Sequence, residues 1–214
     1  MGAKSKPVNF NGRTLTPHTG TKYVPKDVNY KEQLEKFRGR LKGEVGFILD
    51  SINLHNKYHH DRALGFFPMV RMLMPIIDAL ATLEGIEPEE LFGKMKGVPH
   101  PNLMWTLYRD SLLHNDELPL GAIDKEGIPG GILISPDDND YPEILTKDPR
   151  NLDVGLLYRS MVKYLDEAIS KADPNETRKV IDVVEYDPNA TDKKVKLVIS
   201  EIREYQKWIR EQNQ

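Results

Sequence analysis

The chain is expected to fold as a mainly α protein, and three features of its sequence carry that expectation. Apolar residues recur at threes and fours through most of its length, the period of one helix face. Helix start and stop residues bracket those stretches, with Pro88, Asn102 and Asn151 at openings and Gly85 and Gly93 at ends. Strand-like patterning is confined to residues 118–135 and 179–186.

Length and composition set the outer limits. The chain has 214 residues, 39% hydrophobic and 29% charged, which suffices for one domain with appendages and a buried core. It contains no cysteine, which rules out thiol catalysis, cysteine zinc sites and a disulfide framework, and points to a reducing compartment. A net charge of -3 excludes a uniformly basic nucleic-acid binder but leaves room for a local basic patch. Residues 1–23 lack the apolar centre of a signal peptide. The most apolar stretch, residues 66–83, is broken by Arg71 and Asp78, so it reads as a buried helix rather than a membrane span. A cytoplasmic protein that does not enter membranes is the expectation.

Residues 1–27, rich in Lys, Thr, Gly and Pro without apolar period, read as a loosely ordered arm. A helix is predicted from Asn29 to about His55, with Leu34, Phe37, Leu41, Val45, Phe47, Ile48, Ile52 and Leu54 on its apolar side. Gly39, Gly43 and Gly46 weaken it, each by roughly 1 kcal/mol relative to Ala. Its basic residues, Lys31, Lys36, Arg38, Arg40 and Lys42, alternate with Glu32, Glu35 and Glu44 and form a solvated face.

Residues 62–84 are apolar on several sides and predict a central helix, with Pro75 set to kink or divide it and Gly85 to end it. A short helix follows from Pro88 to Gly93. Asn102 is placed to cap a helix over about 103–114. A β-hairpin is predicted over about 118–135, then an Asp- and Pro-rich loop over 136–150. Asn151 is placed to cap a helix to about Lys171, with Leu156, Leu157, Met161, Tyr164, Leu165 and Ile169 inward. A short strand over 179–186 precedes a last helix, opened by Asp187-Pro188 and running to about Arg210. Its stripe of Val195, Val198, Ile202, Tyr205 and Ile209 suits docking on the bundle or a seam with a dimer mate. The domain layout is therefore an arm (1–27), a helical domain (28–172), and a C-terminal strand and helix (173–214).

The segment Tyr108-Arg109-Asp110-Ser111-Leu112-Leu113-His114 is the best candidate for chemistry. With its helix, and with the apolar core Met74-Pro75-Ile76-Ile77-Asp78-Ala79-Leu80 before it, it resembles the HEPN (higher eukaryotes and prokaryotes nucleotide-binding) family. The hallmark of that family is Arg, a polar residue, three further residues and His near a helix end. Arg109, Asp110 and His114 match those positions. The polar position more often holds Asn or His. The likeness covers about residues 30–170. A second copy of the spacing, Arg13 to His18, lies in the arm without helical period and is set aside.

The resemblance implies a helical bundle that cleaves RNA without metal or other cofactor, the 2′-hydroxyl attacking the adjacent phosphate. His114 is then the acid or base that titrates near neutral pH, and Arg109 the fixed cation for the phosphoryl oxygens. Asp110, four residues before His114, is placed to orient the imidazole. Tyr108, Arg62 and His59 are candidates for binding the substrate. A five-residue step turns about 140° around an α-helix, so Arg109 and His114 diverge. Either the helix end loosens or a second subunit completes the site, and HEPN nucleases resemble the latter case. RNA, a homodimer mate and an antitoxin protein are the expected partners, as in toxin or phage-defence systems.

Other readings stand beside this one. Arg109 and His114 are also what a helix C-terminus favours on electrostatic grounds alone. Trp105 and Tyr108 fit a core as well as a base stack. His55, His59 and His60 have metal-ligand spacing without a Glu between them or a remote ligand, so no metal is assigned. A non-catalytic HEPN-like module that binds a protein or nucleotide is the rival function, and an unrelated helical protein the third.

Overall fold

The computed structural model describes residues 5–58, 66–95, 101–110, 121–123, 126–128, 131–133 and 151–212. The chain is mostly helical, with short two-stranded sheets, and divides into two compact units. One unit joins Met1–Val28 to Arg178–Gln214, and the other is Asn29–Thr177.

The terminal unit differs from expectation, because residues read as a loose arm form strands. β1 (Val8–Phe10) and β2 (Arg13–Leu15) make an antiparallel hairpin, turned by Asn11 at φ 55° and Gly12 at φ 110°. Asn-Gly is the pair best suited to that left-handed turn. β3 (Thr21–Asn29) pairs with β8 (Thr177–Tyr186). Lys22 meets Glu185 at 3.4 Å and Lys26 meets Asp182 at 3.7 Å, the descending partner order of antiparallel strands. Asn11 ties the hairpin to β8 twice: its Nδ2 donates to the Lys179 carbonyl (2.9 Å), and its Oδ1 accepts from the Lys179 amide (2.7 Å). The last helix begins later than predicted, at Lys193 rather than after Pro188. Asp192 accepts from the amides of Lys194 and Val195 and so opens it.

In the larger unit, α1 (Tyr30–Arg40) is capped by Asn29, whose Oδ1 accepts from the Glu32 amide at 2.9 Å. The Asn29 Nδ2 donates to the Pro174 carbonyl (2.6 Å) and the Tyr30 amide to the Glu176 carbonyl (2.9 Å), so the unit's two ends are pinned together. A π-helical turn over Leu41–Gly46 leads into α2 (Phe47–Tyr58). That turn takes an extra residue and rotates α2 relative to α1. The buried side runs Leu34, Leu41, Val45, Leu49, which span about 80° of arc at 100° per residue, while Phe47 and Leu54, predicted inward, fall about 200–220° from Leu34 and are exposed. The basic side chains are partly paired: Arg38 and Lys42 with Asp166, and Arg40 with Glu44.

α3 (Phe66–Glu84) is one helix across Pro75, which lies on its exposed side. Met69, Val70, Leu73, Met74, Ile76, Ile77, Leu80, Ala81 and Leu83 form the centre of the core. Gly85, at φ 73°, ends it as predicted. The Gly85 amide bonds back to Thr82 and the Ile86 amide to Ala81, which satisfies the last carbonyls. α4 (Pro88–Lys94) runs one residue beyond Gly93. That glycine is needed for close approach rather than as a stop: a Cβ there would sit 3.1 Å from the Pro101 ring.

β4 (Gly121–Ile123) pairs antiparallel with β5 (Glu126–Ile128), a shorter hairpin than the one predicted over 118–135. β6 (Gly131–Leu133), predicted as a hairpin arm, instead pairs parallel with β7 (Asn151–Asp153). α6 (Val154–Lys171) ends where predicted but is capped by Asp153, whose carboxylate accepts from the Leu156 amide at 3.0 Å, and not by Asn151. Leu156, Leu157, Met161, Leu165 and Ile169 are buried, and Tyr164 half-buried. α7 (Lys193–Gln212) completes the chain. Residues 136–150, predicted as a loop, lie outside the described residues.

Candidate functional site

α5 (Pro101–Trp105) starts one residue before the predicted cap. Pro101 stands first, the place where a missing amide costs no helical hydrogen bond, and Asn102 lies inside the helix. The helix is seated by Met104, Trp105 and Tyr108, all buried, with the Trp105 ring 6.0 Å from Phe92 of α4. Tyr108 is fully buried, so it offers no face to a base. Its place in the candidate site is corrected accordingly: it is a core side chain that fixes the helix carrying Arg109.

From Thr106 to Asp110 the winding becomes π-helical.

Arg109 reaches α3. Its guanidinium nitrogen lies 3.5 Å from a carboxylate oxygen of Asp78, with the two side chains 34% and 32% exposed. Asp78 is the acidic break in the otherwise apolar α3, set between Ile77 and Leu80 of the core. The ion pair thus joins the two segments on which the family resemblance rests. Asp110 is part of the π turn, while His114, Arg62 and His59 lie outside the described residues.

A second polar cluster was not visible in the sequence. The Tyr30 hydroxyl donates to Glu84 Oε1 at 2.7 Å. The Tyr164 hydroxyl is pushed up to about 12, first by burial and then by the Glu84 charge. A cavity of about 240 Å³ beside Tyr164 is lined by Lys94, Met95, Ser160, Lys163 and Glu167. Across the unit, the Tyr158 hydroxyl packs over Gly46, where a Cβ would stand only 2.5 Å from it. Burial, and then Asp50, raises the Tyr158 pKa. No sequence period marks these clusters, because their members are brought to α6 from other elements: α1 and α3 for Tyr30 and Glu84, α4 for Lys94, and the π turn and α2 for Gly46 and Asp50.

Among the described residues, no group of three or more His, Cys, Asp or Glu side chains could hold a metal ion, and no helix is long and apolar enough to cross a membrane. No family model, curated protein or solved structure matches this chain.

Proposed function

We propose that the chain is an HEPN-like, metal-independent endoribonuclease of toxin or phage-defence type, acting in the cytoplasm as a homodimer. Arg109 and His114 from each copy line a shared cleft, and an antitoxin protein is the natural partner. Arg109 bears on the phosphoryl oxygens and His114 exchanges the protons. The 2′-hydroxyl loses its proton and bonds to phosphorus, the bond to the 5′-oxygen breaks, and that oxygen takes up a proton. Asp110 orients the imidazole, and Arg62 and His59 contact the RNA.

The observation that carries this reading is the Arg109–Asp78 pair. An arginine paired with a carboxylate, and one-third exposed on a helix seated by Met104, Trp105 and Tyr108, is directed and reachable from solvent. A second reading uses the same pair differently. An ion pair between two helices is also a structural clasp, and it fits a non-catalytic module that binds protein or nucleotide.

Incubating RNA with the wild type, Arg109→Ala and His114→Ala in the presence of a chelator separates the two. The nuclease reading expects cleavage by the wild type alone. Cleavage that survives both substitutions, or that stops with chelator, removes it.

A further inference from the structure

The polar cavity beside Tyr164 is built on one face of α6. Ser160, Lys163, Tyr164 and Glu167 recur at steps of three, one and three, so all four line the same side of the helix. Lys94 and Met95, at the end of α4, complete its described wall. Ser160 is only 8% exposed, and a hydroxyl on so buried a residue ordinarily has a partner. Among the described residues, neither its hydroxyl nor that of Tyr164 has a hydrogen-bond partner, and neither Lys163 nor Glu167 has an ion pair. The Lys94 ammonium, in contrast, is held by Glu90 at 2.7 Å.

The charges around the cavity define what complements them. Lys163 is a cation and Glu167 an anion, about 6 Å further along the helix axis, and Glu90 already offsets Lys94. Glu84 adds a negative charge near Tyr164, with one of its oxygens taken by the Tyr30 hydroxyl. A simple anion is attracted by Lys163 but repelled by Glu167 and Glu84. A simple cation is attracted by Glu167 but repelled by Lys163. We propose that the cavity binds a small zwitterion, a free α-amino acid. Its carboxylate accepts from the Lys163 ammonium and the Ser160 and Tyr164 hydroxyls, and its ammonium pairs with Glu167. Tyr164 keeps its proton at neutral pH, as a donor must. The volume of about 240 Å³ equals that of about eight waters at about 30 Å³ each, so the ligand has a small side chain, set against Met95. This site uses none of the residues assigned to RNA cleavage.

Isothermal titration calorimetry of the full chain with L-alanine, L-serine, L-threonine and L-valine tests it. At least one of the four is expected to bind saturably, with a Kd of about 1 mM or tighter. Acetate and methylamine each carry only one of the two charges and should bind at least about tenfold more weakly. Lys163→Met, Glu167→Gln and Ser160→Ala should each weaken amino-acid binding at least about tenfold. Lys163 and Glu167 are exposed, so their variants should keep the wild-type circular dichroism and melting temperature. No binding by any of the four amino acids overturns the proposal. So does acetate or methylamine binding as tightly as the amino acid, or amino-acid binding that any of the three substitutions leaves intact.

Discussion

Arg109 and Asp78 form an ion pair between the π-helical turn after α5 and the core-facing helix α3, 3.5 Å apart and each about one-third exposed. The pair is too open to hold the fold by itself. Partly exposed ion pairs contribute on the order of 1 kcal/mol or less, so Asp78→Asn should lower stability by no more than about that in chemical denaturation. Its effect on RNA cleavage should be larger, a loss of about tenfold or more, because a misdirected guanidinium costs transition-state binding. Equal small losses in both assays would mark the pair as a clasp only.

Gly46 and Tyr158 are coupled through space. A Cβ at Gly46 would meet the Tyr158 hydroxyl at 2.5 Å, whereas one at Gly39 would meet nothing within 4 Å. Gly39→Ala should therefore stabilise by about 1 kcal/mol, the ordinary helix gain. Gly46→Ala should lose that gain in the wild type and recover it in a Tyr158→Ala background. A double-mutant cycle read from urea melts checks this, and simple additivity would contradict it.

The Tyr164 hydroxyl carries a pH dependence with a definite sign. Its pKa is about 12 in the folded chain against an ordinary 10, so both states hold the proton below pH 10. Above that the unfolded chain releases it first, and stability falls from about pH 10 to about pH 12. Tyr164→Phe should flatten that part of the curve relative to the wild type, and Glu84→Gln should lower the folded pKa. Melting temperatures across this range, with tyrosinate absorbance as the titration readout, decide the point.

Asn11 serves as a backbone surrogate, giving and taking one hydrogen bond with Lys179 while it turns the β1–β2 hairpin at positive φ. Asn11→Ala loses both bonds and strains the turn. A destabilisation of about 1–3 kcal/mol is expected in thermal or urea melts. Asn11→Gly should restore the turn but not the bonds, and so fall between.

The helices are legible in the sequence because their apolar periods are long and their ends are marked. α3 stops at Gly85, and α6 buries the stripe read from its sequence apart from half-buried Tyr164. The features that escape such a reading have identifiable causes. The apolar set read over residues 29–55 is too broad: at 100° per residue Phe47 and Leu54 fall about 220° and 200° from Leu34 and are exposed, while Leu49, at about 60°, is buried. The strand predicted over 179–186 is β8, but its partner β3 is not legible, because the pairing joins residues about 160 apart, which no local window registers. The Asn11-Gly12 turn is a local signal, masked by the composition of the surrounding arm. At the candidate site, Arg109 can be picked from the sequence, but its partner Asp78 reads there only as a charge breaking an apolar helix.

The central claim is that Arg109 and His114 cleave RNA through its own 2′-hydroxyl. The most direct measurement is the chemistry of the new RNA ends after incubation with the purified chain and excess chelator. The account predicts 2′,3′-cyclic phosphate and 5′-hydroxyl ends with the wild type, and intact RNA with Arg109→Ala or His114→Ala. Ends bearing a 5′-phosphate, or uncut RNA with the wild type, would contradict it.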